Sequence, residues 1–414
     1  MKALVPIALL LFATPHLRSQ DDPPLVQLGD YHIEERGVFR RLIHKDDPWE
    51  WEVLRGTQIH RKFLVRADSV NALGVGNPWD VLLQEASLAA WDPTLEPLTY
   101  YHRTGPVGAV FHELRTRSGG QDAKLPIGVI GLECGTPAAY ALNGQSITFF
   151  ESSPNLKKLI VDTDRYFTFL SDARFRGATI DVRVGNARKL LAASKEQFAV
   201  LLVELFENEF DPGERLTIEA VKLYMSRVRE NGIVALHISN KYFRLEPVVA
   251  AIARELGLSA RVWNDDYESR PGKSFSAWVV LAREEKYLGI LAESMAEQAK
   301  RFGTRNQLLI RMLRQHPPEF SARKALAQVA DGKGLTIDEF ALKFGHEAAA
   351  VKELLRKAAP QDISLADLAD LLFGPMFHTL TPHPKVGIRK DGDKAWPRAV
   401  LMMPAWLERL LGPE

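Results

Sequence analysis

Between positions 204 and 214 the chain reads ELFENEFDPGE, so Glu204, Glu207, Glu209, Asp211 and Glu214 place five acids in eleven residues with no base among them. A charge run is ordinarily a solvated face. This one directly follows the apolar run FAVLLVE (198–204), where the ligand crevice of an α/β sheet opens. Burial and mutual repulsion there would raise a carboxylate's pKa, and such a group takes a proton from an amine nucleophile. The same acids would draw in a polycation through their field.

A second chemical signal lies upstream. The segment GVIGLECGTPAAYAL (128–142) carries Gly128, Gly131 and Gly135 at a strand-to-helix turn. Glycines at such a turn let the backbone approach a nucleotide closely. Glu151 ends the next apolar run, at the spacing of roughly 20 residues where an acid accepts hydrogen bonds from ribose hydroxyls. Turn and acid together favour nucleoside binding over a merely structural turn. After the third run, Asn186 in Gly185-Asn186-Ala187-Arg188 offers an amide donor and acceptor suited to an adenine edge, although a polar turn residue would look the same.

These residues need elements to hold them. Short apolar runs at 126–131, 147–151, 180–185, 198–204, 232–239 and 276–282 alternate with helical patterns, clearest at 216–228 and 245–256. That alternation predicts a parallel sheet covered on both faces, with ligands beyond its carboxyl ends. Ahead of it, residues 25–70 are rich in β-formers, and VFRRLIH (38–44), WEWEVLRG (49–56) and TQIHRKFLV (57–65) predict strands with turns at Gly37, 46–48 and Gly56. A helical pattern covers 79–90. After Lys286 the chain reads as helical and charged to about Phe373, and then as a Pro- and Gly-containing tail with an amphipathic stretch at 404–411. The expected organisation is a leader at 1–20, an N-terminal β-domain with a connecting segment at 25–120, an α/β domain at 121–284 and a helical extension at 285–414.

Composition narrows the partners. The chain has 414 residues, with 53 Lys plus Arg against 52 Asp plus Glu, a net charge of +1. That balance excludes a general nucleic-acid binder, which shows a basic excess. With 46% hydrophobic and 25% charged residues it is no acidic disordered chain either. A single cysteine, Cys134, excludes an intrachain disulfide and a cysteine zinc cluster, and it reads as a small packing residue inside the turn. No metal is expected. His346-Glu347 lacks a second histidine, and His378 and His383 form only a pair. Helix-turn-helix spacing at 336–357 lacks phosphate- or base-reading side chains, and 330–340 fails as a calcium loop at its first positions. The N-terminus, MKALVPIALLLFATPHLRSQDDPP, has the plan of a secretory signal peptide, and its apolar run is shorter than the roughly 20 residues a bilayer span needs. The expectation is an exported or periplasmic chain if that segment is cleaved and a cytoplasmic one otherwise, with no transmembrane span in the mature chain.

The assembled pattern resembles the spermidine synthase-like family of polyamine aminopropyltransferases, in particular the bacterial branch often fused to a transporter-like half. The resemblance runs from about Gly37 to Ala282 and is carried most specifically by LTYYHRTGPVGAVF (98–111), RYFTFLSDAR (165–174) and LHISNKYFRLEPVVAAIA (236–253). It implies a small N-terminal β-domain before a Rossmann-like, methyltransferase-type α/β sheet. It also implies decarboxylated S-adenosylmethionine as co-substrate, a diamine such as putrescine as acceptor and methylthioadenosine as product, with no permanently bound cofactor and no metal. Under the resemblance the turn Gly131-Leu132-Glu133-Cys134-Gly135-Thr136 matches a family GLGTGT, with Glu133 replacing the middle glycine. Glu151 matches the ribose-binding acid, and Ser153 stands where the family has an Asp. Asn186, followed by Ala187, stands where an Asp faces adenine. Glu204 aligns with the Asp that deprotonates the amine and Glu209 with a second, substrate-binding Asp, each one methylene longer. Tyr101 and His102 match a Tyr-His pair near the substrate, and Gln58 a glutamine near the donor. Relatives of this kind often form homodimers, and no stretch here marks an interface. Two alternatives stand beside aminopropyl transfer. One is an inactive relative that binds a nucleoside or polyamine, which export would favour, and the other is an S-adenosylmethionine-dependent methyltransferase on the same sheet.

Overall fold

The structure is a computed structural model that describes residues 25–36, 39–45, 52–59, 93–103, 105–163, 165–205, 212–240, 243–265, 272–293 and 377–393. Its main body is a seven-stranded sheet built from β5 (Ile127–Ile130), β6 (Ser146–Glu151), β7 (Thr179–Val184), β8 (Phe198–Glu204), β9 (Val228–His237), β10 (Ser259–Asp265) and β11 (Ser276–Ala282). The order is β7-β6-β5-β8-β9-β11-β10. Strands β5 to β9 are mutually parallel, whereas β11 runs antiparallel to both β9 and β10. This is a Rossmann-like, methyltransferase-type α/β fold. The expected parallel sheet is present, with β11 as its antiparallel member. The reading by apolar runs passed over β10, whose sequence SARVWND mixes polar and apolar residues, as an edge strand can.

The central strands read as unbroken apolar runs because both their faces are covered. Alternate residues enter two cores: Ile233 and Ala235 of β9 pack on one side, and Val234 and Leu236 on the other. Strand β11 divides in the same way, with Trp278 and Val280 opposite Val279 and Leu281. Helices α1 (Pro106–Thr116), α2 (Pro154–Lys157), α3 (Phe169–Phe175), α4 (Ala187–Ala193), α5 (Ile218–Ser226) and α6 (Glu246–Glu255) connect and cover the strands. The helical patterns at 216–228 and 245–256 are α5 and α6. The helix expected after the glycine turn is a single 3-10 turn, Thr136–Tyr140.

A second, antiparallel sheet in the order β1-β2-β3-β4 comprises Val26–Leu28, Tyr31–Arg36, Phe39–Lys45 and Glu52–Ile59. The turn expected at Gly56 does not exist, because β4 runs straight through that residue. Glycine is required there for a different reason. A Cβ at position 56 would lie 2.3 Å from the Cys134 sulfur, so β4 passes directly over the glycine turn of the large sheet. One irregularity matters to the site. Leu42 pairs with Gly56 and Ile43 with Leu54, which leaves Arg55 as the extra residue of a bulge. Bulges re-aim side chains, and this one turns Arg55 toward the large sheet.

No helix among the described residues is long and apolar enough to cross a membrane. The leader-like segment, the pattern at 79–90, most of the extension after 293 and the amphipathic stretch at 404–411 lie outside the described residues, as do Glu207, Glu209 and Asp211.

Candidate active site

Strand order reverses between β5 and β8, and such a switch point opens a crevice at the carboxyl ends of the strands. Gly131 leaves β5 there and Glu204 ends β8. The two are so close that a Cβ at Gly131, whose φ is +98°, would lie 2.9 Å from the Glu204 Cβ. Glu204 is 1% exposed. Its Oε1 accepts a 2.5 Å hydrogen bond from the Tyr101 hydroxyl, and its Oε2 lies 2.6 Å from Nδ1 of His237. Arg215 holds the backbone, donating to the Glu204 carbonyl at 3.0 Å. Burial first, and then the Glu204 charge, push the Tyr101 phenol well above its usual range, so it remains a donor. The His237 ring is stacked on Trp278 at 4.6 Å and 9°, and Tyr100 lies at 4.5 Å.

The turn itself is wound left-handed at three residues: Gly131 at φ +98°, Glu133 at +48° and Gly135 at +81°. Glu133 and Thr99 are the two non-glycine residues with positive φ among the described residues, and Glu133 lies in this turn. Strain of this kind concentrates at functional sites. Glu133 is buried and lies 3.9 Å from the Arg55 guanidinium, so the acid that replaces a glycine faces a cation delivered by the bulge in the small sheet. Glu151, at the end of β6, accepts from the Leu132 N–H at 2.8 Å and the Ser153 N–H at 2.6 Å. Each carboxylate oxygen keeps a further lone pair for a ribose hydroxyl. Tyr31 of β2 belongs here too, since burial and then the Glu133 and Glu151 charges raise its phenol pKa.

The other expected residues divide. Tyr101 joins Glu204, whereas His102 faces away from it, with its Nε2 3.9 Å from Glu96, which also receives Arg103 at 2.9 Å. Gln58 is fully engaged as a clamp. Its amide donates to the Thr94 carbonyl and the Thr168 hydroxyl, and its carbonyl accepts from the Thr168 N–H. It joins the small sheet to the segment before α3. Asn186 spends its carbonyl oxygen capping α4, accepting from the Lys189 N–H at 3.0 Å, and Ala187 is the buried first residue of that helix. Ser153 caps α2 through the Leu156 N–H. Glu209 lies outside the described residues. Sequence reasoning missed His237, Trp278, Arg55 and Tyr31. A histidine within the run GIVALHIS, at the end of the strand beside the acid's own, was the available signal.

No protein-family model matches the chain, and no curated protein does. Among solved structures it is similar to a probable spermidine synthase from Corynebacterium glutamicum, at 11% identity over 58% of this chain and 76% of that one, with a TM-score of 0.33. It is also similar to a putative O-methyltransferase from Klebsiella pneumoniae at 12% identity, covering 53% and 95%, TM-score 0.30. A precorrin-6y C5,15-methyltransferase from Geobacter metallireducens matches at 14% identity, covering 43% and 87%, TM-score 0.31.

Cys134 sits inside the turn beneath Gly56, completely buried, with its sulfur 3.0 Å from the Thr136 hydroxyl. Burial pushes its thiol up to about 12. Because only the thiolate reacts, the native protein is expected to give less than about a tenth of a thiol equivalent with a disulfide reagent at about pH 8, and a full equivalent in denaturant. Fast native reaction would show that the small sheet does not seal the turn.

Proposed function

We propose that the mouth between β5 and β8 binds a sulfonium nucleoside and that the chain is a transferase of S-adenosylmethionine-type chemistry. Transfer of an aminopropyl group from decarboxylated S-adenosylmethionine to a diamine such as putrescine is its specific form. The observation that carries this reading is the left-handed turn at 131–135, closed onto Glu151 on one side and Glu204 on the other. The turn would seat the nucleoside and Glu151 would take the ribose hydroxyls. The negative charges of Glu133 and Glu204 would favour the sulfonium and the incoming ammonium. In the reaction the free amine attacks the carbon beside sulfur, the carbon–sulfur bond breaks and methylthioadenosine leaves. The amine proton goes to Glu204, whose oxygens each retain a lone pair beyond the bonds from Tyr101 and His237.

One observation favours a second reading, binding without turnover. Both Glu204 oxygens already hold buried donors, and the Arg55–Glu133 pair stands where a bare glycine backbone would meet the ligand. Calorimetric titration with methylthioadenosine, followed by chromatography of a reaction with decarboxylated S-adenosylmethionine and several diamines, separates the two. Transferase activity predicts saturable binding and release of methylthioadenosine. Binding without release supports the second reading, and no binding of nucleoside or polyamine sinks both. If S-adenosylmethionine outcompetes its decarboxylated form, the group moved is methyl.

A further inference from the structure

Strands β8 and β9 are parallel neighbours, and their register places Glu204 directly beside His237. Two residues further along β9's exit, on the same side of the chain, stands Ser239. Its hydroxyl oxygen is 2.9 Å from His237 Nε2, while His237 Nδ1 is 2.6 Å from Glu204 Oε2. An acid, an imidazole and a hydroxyl are thus joined in one line. In the tautomer such a line uses, Nδ1 carries the imidazole hydrogen and donates it to Glu204 Oε2, while Oε1 accepts from the Tyr101 hydroxyl. In neutral imidazole Nε2 is then the acceptor, and the Ser239 hydroxyl donates to it. The Ala277 N–H, 2.8 Å from the same oxygen, fixes the hydroxyl from the β11 side.

We infer that Glu204, His237 and Ser239 form an acyl-transfer triad, with Ser239 as nucleophile toward an activated carboxylic ester or thioester. The requirements of such a site are a hydroxyl within reach of a base and a base oriented by a third group. Here the base is held more firmly than hydrogen bonds alone would hold it, by stacking on Trp278 and contact with Tyr100. Ser239 is half-buried at the mouth, whereas Glu204 lies fully inside. In the reaction Ser239 Oγ bonds to the acyl carbon and its proton passes to His237 Nε2. The bond to the leaving alcohol or thiol breaks, and that group takes the proton from Nε2. Water repeats the sequence on the acyl-enzyme, releasing the carboxylic acid and restoring Ser239. The inference does not rest on the sulfonium reading. The two share Glu204 but differ in Ser239, and Ser239→Ala leaves the turn at 131–135 untouched.

A fluorophosphonate probe tests it on the protein as it stands. Displacement of fluoride by Ser239 Oγ leaves a stable phosphonyl adduct that peptide mass spectrometry locates. The expected result is one adduct per native chain at Ser239, absent from Ser239→Ala and from heat-denatured wild type. His237→Gln should slow it by about a hundredfold or more, the scale of a general base. An unlabelled native chain, an adduct elsewhere, or labelling of Ser239 that persists after denaturation or at an unchanged rate in His237→Gln overturns the inference. Should His237→Gln fail to fold, the native and denatured wild type still decide. Methylthioadenosine titration of Ser239→Ala keeps the two readings apart, since binding there is expected to match wild type whatever the probe shows.

Discussion

Glu204→Ala is expected to lower the free energy of unfolding by about 3 to 5 kcal/mol, seen as a shift of the urea midpoint at unchanged slope. The side chain is the shared acceptor for the Tyr101 hydroxyl and the His237 Nδ1–H, and all three groups are buried. Removing it strands two donors, each costing about 1 to 3 kcal/mol, and opens a cavity against the glycine turn. Glu204→Gln should be milder, at about 1 to 2 kcal/mol. The amide retains one acceptor oxygen, and the Tyr101 hydroxyl can rotate to accept from the new NH2. If alanine cost no more than glutamine, the buried chain of hydrogen bonds would be contributing nothing to stability.

Gly131→Ala is the second large effect, expected at about 2 to 6 kcal/mol with loss of methylthioadenosine binding. Two costs add. The backbone at φ +98° is one that residues with a Cβ rarely adopt, worth about 1 to 3 kcal/mol. The new methyl would also lie 2.9 Å from the Cβ and 3.0 Å from the Cγ of Glu204, and overpacking a rigid core costs about 1 to 3 kcal/mol more. Gly144 supplies the control. Its φ is +79° and a Cβ added there would meet nothing within 4 Å, so Gly144→Ala should carry only the backbone cost of about 1 to 2 kcal/mol. Equal losses at the two positions would mean that the turn yields and that its approach to Glu204 is not tight.

Much of the large sheet was legible in the order of residues. Runs such as FAVLLVE and SAWVVLA are apolar at nearly every position because each strand is buried on both faces, and that burial leaves its mark directly in composition. Strand β10 escaped because an edge strand has no such obligation. Gly56 misled because glycine marks both a turn and a close approach, and only the neighbour at Cys134 tells which. Gln58 was legible as a residue of interest, but its three hydrogen bonds to Thr94 and Thr168 make it a clamp from the small sheet to the segment before α3.

The sequence by itself determined the α/β class, the glycine turn and the carboxylates that end β6 and β8, since strand ends and turn glycines are local properties. Only the tertiary structure decided what those carboxylates touch. Strand order and register carried His237 to the side of Glu204, the start of β11 brought the Ala277 N–H to Ser239, and a bulge in a separate sheet turned Arg55 toward Glu133. Pairings of that kind join residues far apart in the chain, from 33 positions for Glu204 and His237 to 103 for Tyr101 and Glu204. No local pattern encodes them, because side-chain geometry at that separation is set by how sheets stack and not by neighbouring residues.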